Sequence, residues 1–181
     1  MDMTADDRRR WNERYRQRGL SFDPAGLLVE HADLLKGGRG LDLACGTGAN
    51  AFFLAEHGYR VDAIDLSDVG LQIAQAEGRR RGVSVNWIQA AAASLPLPGP
   101  AYDCIVVFRF LDRAVMDELP RLLKPGGLLF YESYNIRRLK SHPDFNPAYL
   151  LEIGELPAWF KDLEIIMARD RRDVSSFIGR R

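Results

Sequence analysis

From about residue 39 onward, short apolar runs of strand length alternate with longer segments whose apolar positions recur at helical spacing. Strand and helix in turn is the pattern of a mostly parallel sheet, because parallel neighbours need a long crossover and the crossover helices cover both faces. The first run, Leu41-Asp-Leu-Ala44, passes through Gly46-Thr-Gly48 into a helix over 49–57, with Gly58 placed as its C-terminal cap. A second strand over 59–65 leads to Ser67, an N-cap for a helix carrying Val69, Leu71, Ile73 and Ala74 and closed by Gly82. Third and fourth strands follow over 83–89 and 102–108, and Asp112 caps a helix that ends near Leu123. Lys124-Pro-Gly-Gly127 carries the signal of a type II turn that starts a fifth strand over 128–134, and 163–168 and 174–178 supply two more. The expected fold is α/β, a three-layer sandwich around a mostly parallel seven-stranded sheet with helices on both faces.

The first 35 residues depart from this rhythm. Six arginines fall between Arg8 and Arg18, while Trp11 and Tyr15 stand four apart and so share one helical face. An added helix is expected there, within one domain over 1–181 made of the extension (1–35), a core (39–134) and closing strands (135–181).

Composition narrows the partners. A chain of 181 residues with 46% hydrophobic positions can bury a sizeable core. Its 25 basic and 25 acidic residues cancel, so nothing draws it as a whole to nucleic acid or an anionic membrane. The opening residues lack a secretory apolar region and no stretch nears the ~18 apolar residues of a membrane span, which predicts a cytoplasmic protein. Cys45 and Cys104 lack CxxC spacing, and His31, His57 and His142 are scattered, so reduced structural cysteines and no metal site are expected.

The glycine loop carries the chemistry. Gly46-x-Gly48-x-x-Ala51 follows a strand and opens a helix, where glycine lets backbone N–H groups approach a ligand, and Asp65 follows at the spacing of an acid that takes ribose hydroxyls. Asp42 selects among ligands. A carboxylate on this turn repels a pyrophosphate but attracts the ammonium and sulfonium of S-adenosylmethionine.

Leu41-Asp-Leu-Ala-Cys-Gly-Thr-Gly48, Val61-Asp-Ala-Ile-Asp-Leu-Ser67 and Leu122-Leu-Lys-Pro-Gly-Gly-Leu-Leu129 resemble, in order, the signature segments of class I S-adenosylmethionine-dependent methyltransferases, whose fold is Rossmann-like. Trp11-Asn-Glu-Arg-Tyr15 with Ser67-Asp-Val-Gly-Leu71 resembles the tellurite-resistance-type branch. The resemblance implies S-adenosylmethionine as donor and S-adenosylhomocysteine as product. It implies that Asp42, Gly46 and Gly48 line the methionine part, with Ala44 and Phe108 completing the donor set. Asp65 then takes the ribose and Leu66 flanks the adenine. Where the family often has an acid for the adenine amino group this chain has Ala91, leaving the backbone of Ala91 or Ala92 for that contact.

The acceptor side is less defined. Trp11, Arg14 and Tyr15 either cover the pocket, with Arg14 or Arg18 facing a negatively charged acceptor, or belong to a solvated helix. Arg109 lies past the fourth strand, where it contacts substrate or forms a salt bridge; Tyr134 and Glu132 end the fifth strand near the same edge. Residues 135–160 add Arg137, Arg138, Tyr149 and Trp159. No general base stands out, so the catalytic residues are unassigned and methyl transfer rests on proximity and orientation. A small-molecule acceptor is favoured over protein or RNA: a thiol, chalcogen oxyanion or amine needs no base, whereas a hydroxyl or carboxylic acid does. Two other classes stay open, a noncatalytic S-adenosylmethionine-binding protein and an NAD(P)-dependent oxidoreductase.

Overall fold

The structure, a computed structural model, describes residues 5–17, 21–94 and 99–181. Its seven strands form one sheet in the order β3-β2-β1-β4-β5-β7-β6, built from β1 (Gly38–Leu43), β2 (Tyr59–Asp65), β3 (Asn86–Gln89), β4 (Tyr102–Phe108), β5 (Leu123–Tyr134), β6 (Glu164–Arg171) and β7 (Val174–Arg180). The first five run parallel, and β7 lies antiparallel to both β5 and β6.

Alternation along each strand separates two cores. Leu41, Leu43, Ile105, Val107, Leu129 and Tyr131 face α5 (Arg113–Met116), α6 (Leu119–Leu122) and α7 (Glu155–Trp159). Val61, Ala63, Val106, Phe108 and Phe130 face α2 (Gly26–Glu30), α3 (Ala49–Glu56) and α4 (Asp68–Arg81). Between its two leucines, Asp42 therefore points to the α3 side, a polar group on a buried face.

The caps behave as their residue types dictate. The Ser67 hydroxyl accepts from Gly70 N, the Asp112 carboxylate accepts from Ala114 N, and Gly82 ends α4 at φ 68°. Three expectations are corrected in detail. The third strand is shorter, because the Val83 N–H closes α4 by donating to Gly78 O. The helix expected after Asp112 is broken into α5 and α6, since Pro120 has no N–H to continue the ladder. Lys124-Pro-Gly-Gly127 lies inside β5 rather than before it: Leu123 and Leu128 are five positions apart while their partners Tyr102 and Cys104 are two apart, so the turn, with Gly126 at φ 81°, is a bulge in a continuous strand.

The N-terminal helix α1 (Ala5–Gln17) does form, and it packs on α4. Among the described residues no helix is long and apolar enough to cross a membrane.

Candidate functional site

Strand order reverses between β1 and β4, and open α/β sheets take their ligands in the crevice at such a switch point, beyond the carboxyl ends of the strands. Backbone strain gathers there. Apart from Arg172, in the turn from β6 to β7, the described non-glycine residues with positive φ are Ala44 (59°) and Arg109 (57°), the residues directly after β1 and β4. Such positions cost of order 1–3 kcal/mol and persist where surrounding structure enforces them.

Asp65 organises the loop. Its Oδ2 accepts from Gly46 N at 2.8 Å and its Oδ1 from Ser67 N at 2.8 Å, so the end of β2 staples the glycine loop to the start of α4. Burial raises its pKa, against the lowering effect of these backbone donors. Each carboxylate oxygen has two lone pairs, so these bonds leave room for a ribose hydroxyl. Holding the loop and serving as the ribose acid expected from the sequence are thus compatible with one geometry.

Asp42 is nearly inaccessible, at 1% exposure, and its Oδ2 is a buried oxygen without a hydrogen-bond partner. Its pKa rises to about 8 through desolvation and the neighbouring Asp65 charge, with only the Ala51 N–H opposing. A buried carboxylate oxygen left unpaired is costly in the absence of a cation or donor.

The glycines divide their roles. A Cβ on Gly48 would meet Trp87 of β3 at 2.5 Å and Ala74 of α4 at 3.2 Å, and the Gly48 N–H is already donated to Cys45 O. Gly48 therefore serves helix–sheet packing. A Cβ on Gly46 would meet the Tyr15 hydroxyl at 2.6 Å, which places α1 directly over the loop. Leu66 is half-buried beside Asp65, and Ala91 and Ala92 enter a short helical turn just past β3, tied in by Ala90 N donating to Asp65 O. Phe108 is packed in the α2–α4 core at 9% exposure.

Sequence reasoning missed Asn12. It is the buried residue of α1: its amide donates to Asp68 at 2.8 Å and its carbonyl accepts from the Ser67 hydroxyl at 2.6 Å. Asn12 lies three residues before Tyr15, so both share the docking face, and that spacing was the available signal. Trp11 stacks on Tyr15 with centroids 6.0 Å apart, and exposed Arg14 lies over Trp11. Arg9–Asp6 and Arg16–Glu13 are solvated pairs along α1, whereas Arg10 pairs with the largely buried Asp7. Arg18 lies outside the described residues.

On the β5 side, Arg109 pairs with Glu132 at 3.1 Å, Glu132 accepts from the Ser176 hydroxyl at 2.7 Å, and the Arg109 guanidinium sits 4.5 Å from the Tyr134 ring centroid. Arg10 reaches from α1 to the Tyr149 hydroxyl at 3.3 Å. Trp159, whose indole donates to Asp117, belongs to the α5–α7 layer.

A sheet wound this way, with a glycine turn and two buried acids at the switch point, has the layout of a nucleotide-type binding crevice at the carboxyl ends of β1 and β2. Residues 41–127 match a family described as methyltransferase domain. The chain is similar to the ubiquinone biosynthesis O-methyltransferases of Xylella fastidiosa (36% identity over 107 residues, 56% of this chain and 44% of that protein) and Burkholderia vietnamiensis (32% over 123 residues, 65% and 52%). It spans about half the length of the curated relatives it matches. TehB from Haemophilus influenzae shares its fold, with a TM-score of 0.76 at 15% identity over 96% of this chain and 66% of that one. Over the central segment 41–127, just under half of its length, the chain is similar to methyltransferases.

Proposed function

We propose that this chain transfers a methyl group from S-adenosylmethionine to a small acceptor bound at the carboxyl edge of β4 and β5. The observation that carries the reading is the unpaired buried oxygen of Asp42 beneath the glycine loop. A cationic ligand suits that acid and a pyrophosphate does not, which disfavours the nicotinamide alternative. The family match and the O-methyltransferase relatives support the same chemistry.

In this reading Asp42, Ala44 and the Gly46 backbone hold the methionine end of the donor, and Asp65 the ribose. Leu66 and the backbone of Ala91 and Ala92 border the adenine. Gly48 and Phe108 shape the pocket through packing. When bound, S-adenosylmethionine supplies an activated methyl group: an acceptor lone pair forms the new bond to carbon as the C–S bond breaks and the sulfonium becomes a neutral thioether. Tyr15 and Trp11 cover the loop and exclude water, while Arg109 and Tyr134 border the acceptor. Alignment of two reactants can supply roughly 7–11 kcal/mol of the barrier, so an acceptor already nucleophilic needs no base from the protein. A cytoplasmic location and a single domain over 1–181 belong to the same proposal.

Calorimetric titration with S-adenosylmethionine, S-adenosylhomocysteine and NADH tests it. Micromolar binding of the two adenosyl ligands alone is expected, with at least a tenfold loss in Asp65→Ala, about 1.4 kcal/mol. Binding of NADH alone overturns the reading; donor binding without consumption against thiol, amine and phenol acceptors would favour a noncatalytic module.

A further inference from the structure

Past β4 and β5, two guanidiniums attend one aromatic ring. Arg109 lies 4.5 Å and Arg138 4.2 Å from the centroid of Tyr134. They come from different segments, Arg109 from the strained residue after β4 and Arg138 from the short helical turn Ile136–Lys140 after β5. Each is paired with an acid, Glu132 at 3.1 Å from Arg109 and Asp173 at 2.6 Å from Arg138, and Asp173 also feels the charge of Arg109.

These acids do not use up the cations. Glu132 is the inner partner, with its side chain 12% exposed against 44% for Arg109, and its other oxygen is engaged by Ser176. The Arg109 side chain pairs with Glu132, lies over the Tyr134 ring, and its charge also reaches Asp173. A guanidinium carries five N–H donors, so Nε and one terminal nitrogen of Arg109 stay available. On the other side, the Nε of Arg138 is buried without a hydrogen-bond partner. Arg137, Lys140, Ser141 and Arg172 line, with Asp173, an open cavity of about 370 Å³, so the surface around Asp173 carries three cations and that one acid. The chain as a whole is neutral, which makes this local excess a placement rather than a reflection of composition.

Arg109 also stands at the right distance. Its strand is the immediate neighbour of β1, so its Cα lies about one to two strand spacings, roughly 5–10 Å, from the glycine loop, the span of a small molecule. A left-handed arginine costs energy that glycine or asparagine would avoid, and such strain collects at functional positions.

We infer that the acceptor bears an anionic group, a carboxylate or comparable oxyanion, which binds Arg109 and Arg138 across Tyr134 while its nucleophilic atom faces the donor. The inference rests on the methyl-transfer reading for the role of the bound anion, and its test separates the two. Benzoate and benzamide, nearly equal in shape and different in charge, are titrated calorimetrically into the protein with and without saturating S-adenosylhomocysteine. Benzoate is expected to bind at least tenfold tighter than benzamide. Arg109→Asn, which suits the left-handed backbone, should abolish that preference and leave S-adenosylhomocysteine affinity unchanged; Arg138→Gln should reduce the preference. Equal binding of the two probes, no binding of either, or a preference that survives in Arg109→Asn overturns the anion site. Failure of S-adenosylhomocysteine to bind, with the benzoate preference intact, overturns the methyl-transfer reading and leaves the anion site standing.

Discussion

In the proposed donor site, Asp42 sets the electrostatics by being in the wrong place for a charge. Desolvation and Asp65 lift its pKa to about 8, so at neutral pH the ligand-free protein holds it mostly protonated. The attraction to a cation that its position in the sequence suggests operates only once the cation arrives and draws the pKa back down. Donor binding at pH 7 should therefore expel a proton. Titrations in phosphate and in Tris will give different observed heats, and the difference will shrink by pH 9, where Asp42 is already ionised. Heats independent of buffer would exclude Asp42 as the cation's partner. Asp42→Asn should lose tenfold or more in donor affinity. The sequence identifies this acid and its strand-end position. It does not reveal that Ala51, nine residues on after the glycine turn, supplies the sole backbone N–H that opposes the rise in its pKa, because that contact exists only once α3 has folded over β1. The strain at Arg109 was equally invisible, since nothing local in the residues after β4 demands a positive φ.

At the scale of elements, the glycine loop, Ser67, Asp112 and Gly82 were legible because their signals are local: a cap needs only its own turn. Segments whose form depends on partners were not. The turn at Lys124 became a bulge because β4 pairs on both sides of it, and Gly126 N and Gly127 O are held by Arg181 at the end of β7. In α1 the sequence displays arginines, yet the docking is done by Asn12, a residue with weak helix preference that is retained against Ser67 and Asp68. Removing both bonds with Asn12→Ala should cost about 1–3 kcal/mol of docking. Limited proteolysis within α1 should then accelerate with the sheet still folded. Donor affinity should fall several-fold, since Tyr15 would no longer be held over Gly46. Unchanged cleavage and unchanged affinity would mean that α1 is held by other contacts.

Over the whole molecule, buried and paired acids pull stability in opposite directions. Asp42 and Asp65 have raised pKa values in the folded state, so their contribution is fully present below about pH 4 and declines as pH climbs, in the case of Asp42 through about 8. Glu77, held by Arg80 and Arg81, is lowered to about 2, and Asp173, bonded to Arg138, is lowered too. These stabilise above their unfolded values and lose that contribution as pH falls toward 2. The ligand-free protein should thus be most stable on the mildly acidic side. Its thermal midpoint should drop from pH 6 to pH 8.5, less so in Asp42→Asn, and donor should flatten the slope. A midpoint that rises across that interval would contradict the burial of Asp42.

The placement of α1 also dictates the order of events in turnover. Tyr15 lies over the glycine loop and Arg10 of the same helix bonds Tyr149, so on the proposed reading the donor binds behind a rod anchored at both points. On that reading the donor enters before the rod seats and its spent form leaves after the methylated product. Initial-rate kinetics should then follow a compulsory sequence, with S-adenosylhomocysteine competing against the donor alone and the acceptor loading second.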